Sequence, residues 1–150
     1  MDKAQVGKRG EQVAAKYLKR HGYEILERNI HISHQEIDII AINRECIAFV
    51  EVKTRLLEPG RADRYTTPSA AVTPEKRRFL LKAAFAYMRK HGYKLQPRMD
   101  VIEVYLTPDQ IVPPLSRLWE KVTGIFGTPK RQVLRINHIE NAFGLNGYIP

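Results

Sequence analysis

The chain is poor in cysteine, in acidic side chains and in long apolar runs. A single cysteine, Cys46, stands among 150 residues, which rules out an internal disulfide and suits a reducing compartment. No apolar stretch approaches the ~20 residues that a membrane-spanning helix requires. The start, MDKAQVGKRGEQ, lacks the apolar core of a secretory signal. These absences predict a cytoplasmic protein with no membrane partner. Acids are outnumbered: 16 Asp and Glu against 25 Lys and Arg leave a formal charge of +9. Such an excess attracts polyanions, and nucleic acid is the commonest of these inside cells. No internal repeat or low-complexity tract interrupts the chain, and 43% of it is hydrophobic. One globular domain over residues 1–150 is expected.

What is present is an alternation of helical and strand-like segments. Residues 4–21 place Val6, Val13, Ala14, Tyr17 and Leu18 on one side and Lys8, Gln12, Lys16 and Lys19 on the other, with Gly22 as a stop. Strands are predicted over 23–32, 36–42 and 46–53, the last two joined tightly through Asn43-Arg44-Glu45. The strand 46–53 is apolar on both faces until Glu51, which predicts a central strand covered on both sides. A loop over 56–71 leads to Thr73-Pro74, a cap and first-turn pair that opens a helix ending at Gly92. A strand over 98–106 follows. Between 107 and 131, Leu115, Leu118, Trp119, Val122 and Phe126 recur at helical spacing. A short strand over 133–137 and one helical turn at HIENAF (138–143) complete the reading. The order α-β-β-β-α-β-α-β predicts an α/β fold with a central mixed sheet flanked by helices.

Three charges interrupt the most apolar part of this pattern. Glu51 and Lys53 are two apart on one strand and share a face, continuing the line of Ile47 and Phe49. Asp38 lies on the neighbouring strand of the hairpin, five residues before Asn43, while Glu51 lies six after Glu45. Hairpin reversal therefore brings Asp38, Glu51 and Lys53 to one end of the sheet. Two carboxylates forced together demand a cation. Mg²⁺ is commonly held by one or two carboxylates with waters and phosphate oxygens. A lysine beside them could orient a nucleophilic water or neutralise charge on a phosphoryl group. This chemistry suits phosphodiester hydrolysis. A cross-strand salt bridge is the structural alternative. Glu11 borders the apolar side of the first helix, where Gly7 and Gly10 allow close approach to the sheet or a ligand. It could join a metal through water, or serve only as an acid favoured near a helix N-terminus.

The stretches GKRGEQVAAKYLKRHGYEILERN (7–29), EIDIIA (36–41), FVEVKTR (49–55), AVTPEK (71–76), RMDV (98–101) and HIENAF (138–143) together resemble a known family. This is the bacterial YraN-type family of the PD-(D/E)XK, restriction-endonuclease-like superfamily, similar to archaeal Holliday-junction resolvases. The resemblance covers most of the chain, in the family's order. It implies a restriction-endonuclease-like fold and a metal-dependent DNA endonuclease using Mg²⁺ or Mn²⁺. By the same resemblance Asp38 and Glu51 are metal ligands, the Val52 carbonyl is a third, Lys53 is the catalytic lysine, and Glu11 matches the helix glutamate of the resolvase-like branch. Gln35 stands where the family usually has glycine, and 107–131 is an insertion relative to it.

Further candidates concern binding. Eight basic residues against one acid lie between Thr73 and Arg98. Lys76, Arg77 and Arg78 at a helix start could meet a DNA phosphate, and Arg55, Arg61 and Arg64 could track a backbone. Resolvase-like nucleases often pair to cut two strands, so a homodimer is expected. A nucleic-acid-binding module with a structural acid and lysine cluster is the alternative function. A third is an interaction protein using the 107–131 insertion. His31 and His34 read as polar surface of an edge strand, and Asp100 as a hydrogen-bonded structural acid.

Overall fold

A computed structural model of the protein describes residues 3–57, 72–107 and 133–144. Within these, α1 (Lys3–Arg20) precedes the strands β1 (Glu24–Ile32), β2 (Gln35–Ile42) and β3 (Cys46–Leu56), and α2 (Pro74–His91) precedes β4 (Gln96–Leu106) and β5 (Val133–Ile139). The predicted 56–71 loop, apart from its first two residues, and nearly all of the predicted 107–131 helical segment lie outside the described residues, as do Arg61 and Arg64.

The five strands form one sheet in the order β1-β2-β3-β4-β5. Three pairings are antiparallel, β1 with β2, β2 with β3, and β4 with β5. The β3–β4 pair is parallel, so the sheet is mixed. The connection between β2 and β3 is tight because Asn43 Oδ1 accepts from both Glu45 N and Cys46 N, each at 2.9 Å. An asparagine side chain thereby fixes the turn locally.

The helices cover opposite faces. On one, Ile47, Phe49, Met99 and Val101 pack with Leu80, Leu81, Ala84, Tyr87 and Met88 of α2. On the other, Ala48, Val50, Ile102 and Val104 pack with Val13, Ala14, Ala15 and Leu18 of α1. The central position of β3, read from its two apolar faces, is what this double cover produces. Thr73 caps α2 by accepting from Lys76 N at 3.2 Å, Pro74 follows, and Gly92 ends the helix at φ 71°. Both predicted caps are in place.

Gly10 determines how closely α1 sits. A methyl group at this position would lie 1.7 Å from Thr54 Oγ1 and 2.8 Å from Thr54 Cβ, so the helix rests directly on the side chain of β3. Gly7 meets nothing within 4 Å, and its lack of a side chain is not a packing requirement.

At the far edge the structure departs from expectation. β5 runs on to Ile139, and HIENAF forms an extended end and a turn at Glu140–Asn141 instead of a helical turn. The cause is Asp100, which is fully buried. Arg98 grips it with Nε and Nη2, His138 Nε2 lies 2.8 Å from Oδ2, and Asn141 N donates to Oδ1 at 3.0 Å. Ala142 N also donates to Met99 O at 2.8 Å. These bonds draw residues 138–142 along β4, which a helical turn could not follow. Burial alone would raise the Asp100 carboxyl, but the bonds from His138, Arg98 and Asn141 hold it below the usual carboxylate range.

Two stability outcomes follow. Gly10→Ala should lower stability by roughly 1–3 kcal/mol through overpacking against Thr54, although alanine favours helices. Arg98→Ala leaves Asp100 buried without its main partner and should cost about 3–5 kcal/mol. Urea denaturation of each variant checks both.

Candidate active site

β2 alternates normally only up to a point. Ile40 packs toward α2 and Ile39 and Ala41 toward α1, yet Ile37 again faces the α2 side. The break falls at Asp38. On β1 the pairs Arg28↔Ile39 and Ile30↔Ile37 leave Asn29 opposite it, and Asn29 has φ 50°. Asparagine is among the few residues that adopt this left-handed conformation at modest cost. Asn29 stands opposite the point where β2 stops pairing with β3.

The pairing of β2 with β3 ends at Ile39↔Val50. One residue further, Asp38 and Glu51 face each other across a fork. Asp38 Oδ2 accepts from Val52 N at 2.7 Å, so a side chain replaces the strand ladder where the strands part. β3 continues beside β4 alone to Leu56↔Leu106. Glu51 is only 6% exposed, and Lys53 Nζ donates to its Oε1 at 2.7 Å. The three charges predicted to converge therefore meet at one end of the hairpin.

Lys76, at the start of α2, donates to the same Oε1 at 2.5 Å. Sequence reasoning placed Lys76 on a phosphate. The Thr73-Pro74 start showed that it would lie in the first turn, but only the fold shows that this turn faces Glu51. Glu11, on α1, adds a like charge that also disfavours ionisation of Asp38. Burial, with Glu51 beside it and Glu11 near, pushes the Asp38 carboxyl up to about 6, against the opposing influence of Val52 N–H and Lys76.

The remaining basic candidates divide. Arg55 Nη2 lies 3.4 Å from Glu103 Oε1, and buried Glu103 also accepts from Tyr105 Oη and Asn137 Nδ2. Arg55 thus belongs to a polar cluster beside Lys53, whose register partner is Glu103. Arg77 Nε donates to Val72 O at 2.8 Å, and its guanidinium lies over the Phe143 ring, so it ties the start of α2 to the chain after β5. Arg78 is exposed. His31 and His34 are exposed, and no three His, Cys, Asp or Glu among the described residues form a metal-holding group. The fork carries carboxylates in a form that suits partial, water-completed coordination: the described bonds use Oδ2 of Asp38 and Oε1 of Glu51, and among the described residues Oδ1 and Oε2 have no protein donor. Hard oxygen donors of this kind fit Mg²⁺ or Mn²⁺. No helix among the described residues is long and apolar enough to cross a membrane.

Fold and fork together define an α/β protein with a cluster of charges where two inner strands of a mixed sheet part. The chain belongs to the uncharacterised protein family UPF0102, whose model matches residues 10–104. That span includes Glu11, Asp38, Glu51, Lys53 and Lys76. A UPF0102 protein of Caldanaerobacter subterraneus is 39% identical over 144 residues, covering 95% of this chain and 98% of its own length. One from Caldicellulosiruptor saccharolyticus is 37% identical, covering 95% and 100%. One from Chlorobium phaeobacteroides is 46% identical over 105 residues, 69% of this chain and 78% of its own. The two longer alignments omit too little of the chain to exclude 107–131, so some members of the family align through this stretch.

The raised Asp38 pKa has a stability consequence. The folded chain holds the Asp38 proton more tightly than the unfolded chain, whose carboxyl ionises near 3.8. The fold is therefore spared the cost of this charge below about pH 4 and bears it fully above about pH 6. In metal-free buffer Asp38→Asn should be more stable than wild type by roughly 1–3 kcal/mol at pH 8. The difference should shrink as pH falls from 6 to 4, as denaturation at several pH values would show.

Proposed function

We propose that this chain is a Mg²⁺- or Mn²⁺-dependent endonuclease that hydrolyses phosphodiester bonds in DNA, with a restriction-endonuclease-like fold of the PD-(D/E)XK type. The observation that carries this reading is the fork itself, where Asp38, Glu51 and Lys53 meet and Asp38 is pushed up to about 6. A salt bridge built for stability would pair all its charges; here the lysines engage Glu51, and Asp38 faces it with its own charge disfavoured.

Asp38 and Glu51 would hold the cation, and Glu11, whose charge acts on Asp38, would contribute through water. The Val52 carbonyl enters as a ligand only by resemblance. A divalent cation bound there supplies a polarised phosphoryl oxygen and a water of lowered pKa. The chain's own groups do the rest. Val52 N–H fixes one oxygen of Asp38, leaving the other directed by that bond. Lys53, 30% exposed beside Glu51, presents an ammonium to charge developing on the phosphoryl group. Exposed Arg78, Lys82 and Arg89 along α2 add long-range attraction for a polyanion. The strand order, with α1 before three strands and α2 before a parallel fourth, supports the same superfamily reading.

The test is cleavage of labelled single-stranded, duplex, flap and four-way-junction DNA with Mg²⁺ or Mn²⁺. Metal-dependent cutting should fall by at least ~100-fold in Asp38→Ala and Lys53→Ala, with DNA binding retained. Tight DNA binding without cutting of any substrate, together with no metal uptake by calorimetry, would instead identify a binding module.

A further inference from the structure

Glu51 Oε1 receives two ammonium groups. Lys53 comes from the same strand two residues on, while Lys76 arrives from α2. One carboxylate charge cannot neutralise both, so the fork holds a local excess of positive charge on the α2 side and of negative charge around Asp38. Lys76 is also poorly placed for its own helix. It lies in the first turn of α2, at the positive end of the helix dipole, where a cation is disfavoured and an anion welcome. Glu51 is what holds it there.

A divalent cation on the open Oε2 of Glu51 repels the ammonium on Oε1 and takes up the carboxylate charge that held Lys76 there. Lys53 is tied to Glu51 two residues away on the same strand, whereas Lys76 comes from a separate element and can turn from Glu51 toward its own helix start. Once displaced, it is an uncompensated ammonium beside a helix N-terminus, and a phosphate oxygen satisfies both. Neighbouring Arg77 does not offer the same freedom, because its guanidinium is engaged with Val72 O and lies over Phe143.

We infer that Lys76 is a coupling residue that trades Glu51 for a substrate phosphate when a divalent cation occupies the fork, so that cation and polyanion bind cooperatively. The inference rests on the nuclease reading and adds to it an order: without the cation, Glu51 and Lys76 occupy each other. By linkage the effect is reciprocal, each ligand raising the affinity of the other by the same factor.

The experiment is calorimetric titration with Mn²⁺ alone, and again in the presence of a short duplex with phosphorothioate linkages that resist cleavage. It is run on wild type, Lys76→Gln and Lys76→Arg. Wild type should bind Mn²⁺ about 5-fold or more tightly with the duplex than without it. Lys76→Gln should bind Mn²⁺ alone about 3-fold or more tightly than wild type, since its competitor is gone, and should lose most of the enhancement by DNA. Lys76→Arg should keep that enhancement, which a merely structural role at the helix start would not require. Circular dichroism and thermal unfolding confirm that each variant folds. Unchanged or weaker Mn²⁺ binding by a folded Lys76→Gln, or an intact enhancement, overturns the coupling while leaving the nuclease reading in place. If wild type takes up no Mn²⁺ under either condition, both fall.

Discussion

The separation of β2 from β3 at Asp38 is the constraint on which the rest of the candidate site depends. Had the ladder continued past Ile39↔Val50, Asp38 and Glu51 would be an ordinary cross-strand pair with their backbone groups occupied. The strands part instead, and the Asp38 carboxylate takes over a backbone N–H of the neighbouring strand. This opens room between two acids without leaving the partly buried Val52 N–H unsatisfied. The left-handed Asn29 on β1 stands opposite this point. The left-handed residue and the candidate site thus sit in facing residues of adjacent strands, as is common where a sheet must aim a side chain.

Polar groups are buried in this fold in two different ways. Around Asp100, every described partner is a donor, and the result is a closed joint between β4 and the residues after β5. The Glu103 cluster beside Arg55, Tyr105 and Asn137 is similar in kind. At the fork the balance is left open, with acids facing one another and two lysines sharing one oxygen. The contrast is what separates a structural network from a candidate site, because all three lie on the same sheet and none is distinguished by charge content alone.

Much of this was legible in the amino-acid order. Periodicity located the helices and strands, because each buries a single stripe or alternate face. The Asn43 turn fixed the hairpin register, and register fixed the convergence of Asp38, Glu51 and Lys53. Contacts between distant segments were harder to read. Nothing local to Lys76 says that its helix start overlies Glu51, since that depends on the crossover between β3 and β4. HIENAF has the composition of a helical turn, and its extended path is imposed by Asp100, some 38 residues away from His138. Arg55 looked like a surface cation because its partner, Glu103, lies on another strand. The glycine pair in α1 could be recognised as permitting close approach, but only the packing separates Gly10, which needs it, from Gly7, which does not.

That seat of α1 has an asymmetric character. The helix lies against Thr54 with no side chain between them, so the gap is already at its smallest. A distance held in this way has no slack inward and unlimited slack outward. Any side chain at position 10 therefore pushes this turn of α1, with Glu11 next in the chain, away from Thr54. The contact between a glycine and a threonine works as a mechanical stop for the turn of α1 that carries Glu11.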